Sequence, residues 1–432
     1  MAGLSCASSP SRAPMSPAGA GSLLDHVHNA IDLGSGRALS DNANISVLPL
    51  GDGGVLCLTE ATKGSVLVDL ETIGKFRYAD RLWALLQSTH PVVTGTEPLS
   101  LLPDMFGHGH RVVRMAAGSN ERKVAFGSET RWDIPLRMSL TLNQTLPKVI
   151  GRVRCWGGLT PGWVHSFAVT ENCVVVPEMP LRYSVAGVLM SELTPLYIFD
   201  WLPESGSYMH VICRHTGKAV ASVEVPPFMT LHLINAYEEK GEDGDKTHAI
   251  IADCCEYYAD PSIIKEFELH RLRSPGIYSD ALPDARVARF RIPLDETAFG
   301  ELETVLDPEV HGRGVQLSSI NLAYQGKQHR YVYACGAQRP CSFFNSLTKI
   351  DLVEKGAKMW HEVGSVPSEP LFVARPGGTA EDDGVVISIV STMEGEGYAL
   401  LLDGMTFQEI ARVRFPYGLP FGFHGCWIPE KI

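Results

Sequence analysis

The apolar residues of this chain fall in short runs, continuous or of period two, each closed by Gly, Asp, Asn or Pro. Residues 54–58 (GVLCL), 65–68 (SVLV), 174–176 (VVV), 331–333 (YVY) and 385–389 (VVISI) are the clearest. A period of two puts alternate side chains on one face of a strand, and a continuous run suits a strand covered on both faces. Runs this short cannot make ordinary helices, and only 80–88 and 261–272 carry a helical pattern. The 41 glycines and 28 prolines among 432 residues supply the turns that many short strands need. The chain is expected to be all-β.

A loose repeat narrows the architecture. Residues 65–76 (SVLVDLETIGKF), 349–360 (KIDLVEKGAKMW) and 400–413 (LLLDGMTFQEIARV) each read as a strand ending near an acid, a turn, and a returning strand. Residues 210–223 (HVICRHTGKAVASV) are a fourth copy, with Thr-Gly at the turn. Outer hairpins of successive propeller blades have this form. A sandwich would use fewer strands, and an α/β fold would need helices that the sequence lacks. A β-propeller is expected.

The charge balance of 49 acids against 37 bases, net −12, argues against a nucleic-acid binder, which needs a basic face. No uninterrupted apolar stretch reaches the ~18 residues of a spanning helix. The ten cysteines include the adjacent Cys254 and Cys255, with the others scattered and no CxxC pair, so they read as reduced, mostly buried thiols rather than a zinc site or a disulfide framework. Residues 1–22 hold Ser, Ala, Pro and one Arg without an acid, a composition that fits an organelle transit peptide.

Four of the 15 histidines have unusual surroundings. His90 (STHPVVTGTE), His165 (GWVHSFAVTEN), His232 (PFMTLHLINAYEE) and His424 (YGLPFGFHGCW) sit among apolar and aromatic residues beside strand-like runs or Gly-rich turns. They are far apart in sequence, so they would come from different blades and meet only at a central axis. Imidazole suits iron, copper and zinc, and each ligating ring must donate its outer N–H, best to a carboxylate. Glu60 (CLTEATKG) and Glu369 (VPSEPLFV) are acids in apolar stretches that could accept it. A zinc hydrolase fits poorly, since there is no HExxH helix and no ligating carboxylate.

The segments HSFAVTEN, LHLINAYEE, SEPLFVARP, EDDGVVISIV and GFHGCW resemble the signature segments of the carotenoid cleavage oxygenases. MPLRYSV, ADCCE, YVYACGAQRPC and FPYGLPFGFHGCWIPE extend the likeness to plant members of that family. The resemblance implies a seven-bladed propeller with a loop and helix dome over iron(II), which His90, His165, His232 and His424 would hold. Glu60 and Glu369 match two of three carboxylates that accept the rings' outer N–H. The third position falls at Gln316, whose amide oxygen can accept the bond but carries no charge. Ile45 falls where the family places a residue crowding one open metal position.

By the same resemblance the chain is an iron(II) dioxygenase of lipophilic apocarotenoids in the plastid, in the stroma or on its membranes. The implied substrate is a 9-cis apocarotenal, cleaved and rearranged to carlactone in strigolactone biosynthesis. Phe167, Phe228, Phe421 and Phe423 are candidate tunnel aromatics or core packing, and residues 180–193 (PLRYSVAGVLMSEL) a candidate membrane contact. The likeness runs from about Ser40 onward, so 1–39 reads as a disordered or targeting segment, 40–432 as the propeller with an incomplete first blade, and 125–147 as an insertion. The alternative is a catalytically inactive propeller that binds an apocarotenoid or a protein partner.

Overall fold

The computed structural model describes residues 45–428 apart from 125–151, 185–198 and 267–281 and breaks at 51–53, 61–64, 70, 76–77, 79–85, 95–96, 105–106, 117–118, 121, 159, 242–245 and 296–298. The chain is all-β, and its described strands form six antiparallel sheets of four or five strands, largely in sequence order, and one two-stranded sheet of Leu181–Tyr183 and Phe199–Trp201. The first sheet holds Ser46–Pro49, Val55–Leu58, Val66–Asp69 and Glu71–Lys75. The second holds Val92–Thr94, Glu97–Asp104, Gly109–Met115 and Arg122–Val124, with Arg152–Arg154 also paired to Gly109–Met115. The third holds Ala168–Val169, Cys173–Glu178, Ser207–Cys213 and Ala219–Val225.

The fourth sheet holds Thr230–Lys240, Thr247–Glu256, Arg286–Pro293 and Glu301–Thr304. The fifth holds Gln316–Ser319, Tyr331–Gly336, Ser346–Asp351 and Gly356–His361. In the sixth, Ser365–Pro367 and Leu371–Ala374 both pair with Gly384–Thr392, followed by Gly397–Asp403 and Glu409–Arg414. Consecutive four-stranded meanders of this kind are the blades of a propeller. Seven were expected, and the described residues complete six. The last described stretch, 415–428, contains no strand and instead carries His424 to the other histidines.

Burial follows strand position. Second strands such as Cys173–Glu178 and Thr247–Glu256 are buried almost throughout, whereas the outermost Glu409–Arg414 is largely exposed. One apolar core runs from the third sheet to the sixth, and smaller ones fill the space between the second and third and between the first and second. All four hairpins picked out in the sequence are the two outer strands of a sheet. Asp351 accepts the N–H groups of Val353 and Glu354 (3.0 and 3.0 Å), and Asp403 those of Met405 and Thr406 (3.1 and 2.7 Å). Four residues after each acid the chain enters the left-handed region, at Lys355 (φ 53°) and Phe407 (φ 61°). The fourth copy puts Gly217 there (φ 69°), four residues after Cys213.

Of the expected helices, 261–272 yields Ser262–Glu266, and most of 80–88 lies outside the described residues. The insertion at 125–147 and the segment 1–39 also lie outside them. The nine described cysteines form no disulfide, and seven are buried. No described helix is long and apolar enough to cross a membrane.

Candidate metal centre

The sheet order brings distant residues to one point. His90 precedes the first strand of the second sheet, His165 precedes that of the third, and His232 lies in that of the fourth. Gln316 opens the first strand of the fifth sheet, Glu369 lies between the two short strands that open the sixth, and Glu60 follows Val55–Leu58 of the first. First strands of propeller blades line the axis, so their starting ends face one another.

The four rings are in mutual contact around His90. Its ring centroid is 4.6 Å from that of His165, 4.8 Å from His232 and 4.4 Å from His424, all edge to face. One ligand nitrogen each of His90, His232 and His424 lies within 4.8 Å of the others, and His90 Nε2 is 3.0 Å from His165 Nε2. Two imidazole nitrogens about 2.1 Å from one metal and at right angles would stand about 3.0 Å apart. His232 Nε2 is buried and has no hydrogen-bond partner among the described residues, a state that a metal ion would relieve.

The outer nitrogens fix the tautomers. His165 Nδ1 lies 2.9 Å from Glu60 Oε1, with Thr89 Oγ1 at 3.3 Å. His424 Nδ1 lies 3.1 Å from Glu369 Oε1, and His232 Nδ1 donates to Gln316 Oε1. An oxygen acceptor at Nδ1 places the proton there and leaves the Nε2 lone pair for the cluster. The carboxylates are themselves held: Trp163 Nε1 donates to Glu60 (3.3 Å) and the N–H of Gly425 to Glu369 (3.1 Å). Burial, then the neighbouring histidines His424 and His165, hold His90 and His232 well below the ordinary imidazole pKa. Both therefore stay neutral, the form that binds metal. Four neutral imidazoles with two carboxylates behind them suit a divalent first-row transition ion.

All four predicted histidines and their three predicted acceptors thus come together. Ile45, half-buried, directly precedes the first strand of the first sheet, its N–H on Leu58 O at 3.1 Å. Phe167 is buried in the core between the second and third sheets, and Phe228 in the main core, 4.9 Å from Phe290. Phe421 and Phe423 are half-buried, 4.9 Å apart and edge to face beside His424, with Phe343 4.8 Å from Phe421.

One expectation is corrected. Arg182 was read as part of an apolar surface that dips into a membrane, but it is 1% exposed and pairs with the buried Glu178 (Nη2–Oε1 2.7 Å). Glu178 also takes His210 Nε2 (2.7 Å) and the N–H groups of Trp156 and Gly157 (2.8 and 2.8 Å). Burial works to raise the Glu178 pKa, but these donors, His210 foremost, bring it down to about 2. Leu181 and Tyr183 are buried with it, and 185–198 lie outside the described residues. Sequence reading missed this cluster, although the Glu-to-Arg spacing of four was visible. It missed Thr89 and Trp163 as partners of the His165–Glu60 pair as well.

Residues 14–429 match the family described as RPE65, retinal pigment epithelial membrane protein, a start ahead of Ser40, where the sequence reading began its likeness. The chain is 62% identical over 416 residues to carotenoid cleavage dioxygenase 8 homolog A, chloroplastic, of Oryza sativa subsp. japonica, covering 96% of this chain and 70% of that one. It is 56% identical over 408 residues to carotenoid cleavage dioxygenase 8, chloroplastic, of Arabidopsis thaliana, covering 93% and 66%. Among solved structures, a variant of Synechocystis apocarotenoid oxygenase superposes with a TM-score of 0.68 at 18% identity, over 90% of this chain and 74% of that one. The lignostilbene dioxygenase of Pseudomonas brassicacearum gives 0.66 at 21% identity, over 90% and 75%.

Proposed function

Because this chain belongs to the RPE65 family of carotenoid-cleaving oxygenases, we propose that it is a non-haem iron(II) dioxygenase that cleaves an apocarotenoid. The observation that carries this reading is the convergence of four histidine rings, three of them with an oxygen acceptor on Nδ1. His90, His165, His232 and His424 would hold the iron. When bound, iron supplies the activation of dioxygen towards a conjugated double bond.

The chain's own residues supply geometry. Glu60, Gln316 and Glu369 hold three rings in the ligating tautomer, and the two carboxylates offset the charge of the cation. Phe421 and Phe423, beside His424 and in edge-to-face contact with each other, would pack against a polyene and keep water from the centre. The relatives named as carotenoid cleavage dioxygenase 8 support cleavage of a carotenoid-derived substrate, and the sequence resemblance implies a 9-cis apocarotenal, a carlactone-type product and a place in strigolactone biosynthesis. Their chloroplastic names support a plastid location. A lipophilic substrate comes from a bilayer, so we also assign a peripheral membrane contact.

Anaerobic reconstitution with iron(II) tests the reading. About one iron per chain is expected in the parent, and His232→Ala should lose both iron and turnover while keeping its far-UV circular dichroism. Full iron in that variant would overturn the site. Parent protein that folds but takes up no iron would favour a binding propeller without catalysis.

A further inference from the structure

The three acceptors behind the rings are not alike. His165 and His424 face the carboxylates of Glu60 and Glu369, whereas His232 faces the amide of Gln316. Four neutral imidazoles and two carboxylates carry two negative charges, which equals the charge of one divalent cation. We infer that Gln316 is a positioning residue that keeps the loaded centre electrically neutral and so holds its metal in the divalent state. The inference rests on the metal-site reading above.

Local packing holds the amide in one orientation. Gln316 is 1% exposed, at the start of the first strand of the fifth sheet and in register with Cys335. Its oxygen is committed to His232 Nδ1, because turning the amide over would set N–H against N–H. Its NH2 group faces the phenol oxygen of Tyr257, which can accept from it.

The consequence of an amide at this position is electrostatic. Burial pushes the thiol of Cys335 and the phenol of Tyr257 up in pKa, so both groups beside Gln316 are neutral and would not compensate a charge there. A third carboxylate behind a ring would leave the divalent centre one charge negative. Attraction to a negative charge grows with the charge on the metal, and in a dry site it is weakly screened. The extra carboxylate would therefore favour the trivalent ion over the divalent one, easing the loss of one electron. The amide gives the same N–H acceptor and the same tautomer without that bias.

Redox titration of the iron-loaded protein under argon tests this directly. Gln316→Glu should lower the midpoint potential of the ferric/ferrous couple, and Glu369→Gln, which removes a charge, should raise it. Cobalt(II), bound without a redox step, separates charge from positioning. Gln316→Leu, with no acceptor for His232, should bind cobalt about 10- to 100-fold more weakly than the parent. A parent midpoint unmoved by either charge change, in protein loaded to the same stoichiometry, would overturn the inference. Cobalt affinity unchanged in Gln316→Leu would overturn the positioning role. A parent that binds neither metal would instead overturn the metal site on which the inference rests.

Discussion

His110 and His311 take no part in the metal centre, yet each is buried as a neutral ring at a cost that depends on pH. Burial lowers both to a pKa of about 4. Neither ring nitrogen of His311 has a hydrogen-bond partner among the described residues, and His110 Nδ1 lies 3.8 Å from the Cys155 sulfur. Their folded pKa lies below the unfolded value of about 6.5, so above that value neither affects stability. As pH falls, the unfolded chain takes up a proton that the folded chain refuses, and stability is lost between about 6.5 and 4. At pH 5 the loss is about 2 kcal/mol for each ring, from about 1.4 kcal/mol per pKa unit. The urea midpoint should therefore fall between pH 7 and pH 5, and less steeply in His311→Leu; equal slopes would refute the assignment. Nothing in the sequence around His311 separates it from a surface histidine, because its burial comes from a partner sheet. The four converging histidines were legible, since each lies in an apolar or aromatic stretch beside a strand or Gly-rich turn.

The turn between the outer strands of a sheet was the most legible element, and its acid has a definite job. Asp403 binds two backbone N–H groups and the Thr406 hydroxyl (2.9 Å), closing a turn in which Phe407 adopts a positive φ. Removing the acceptor in Asp403→Ala should cost about 1–2 kcal/mol, the range seen when a helix cap is lost, and Asp403→Asn less. Thermal unfolding gives the comparison, and an unchanged Asp403→Ala would mean that the strands alone set the turn. The hydrogen bonds, that from the Thr406 N–H first, lower the Asp403 pKa. Its stabilisation is thus present above the unfolded value and is lost as pH falls below it. The same local logic was readable at Asp351, because acid, turn and left-handed residue lie within five positions. Residues 180–184 were misread because an Arg in an apolar run looks alike whether it meets water or a buried Glu178. Only the packing of Leu181–Tyr183 against Phe199–Trp201 and the 155–163 loop decides.

At the scale of the whole molecule, the proposed metal centre joins parts of the chain that lie far apart in sequence. The all-β meander was legible because each sheet is built from neighbouring strands. The described residues complete six blades where seven were expected, and 415–428 brings His424 to the centre without forming a strand. The four proposed ligands, from three sheets and this final stretch, exist as a set only in the folded state, so metal binding there would be linked to folding. A ligand that binds only the folded chain, at a thousand times its dissociation constant, stabilises it by about 4 kcal/mol. Cobalt(II) at that excess should raise the unfolding temperature of the parent, and a chelator should reverse the rise. Asp403→Ala starts from a lower temperature but should gain the same increment, since its turn lies at the outer edge of the sixth sheet. His232→Ala should gain none. An increment kept in His232→Ala would locate the stabilising metal elsewhere, and one lost in Asp403→Ala would mean that the outer hairpin, and not the strand starts alone, holds the four rings in place.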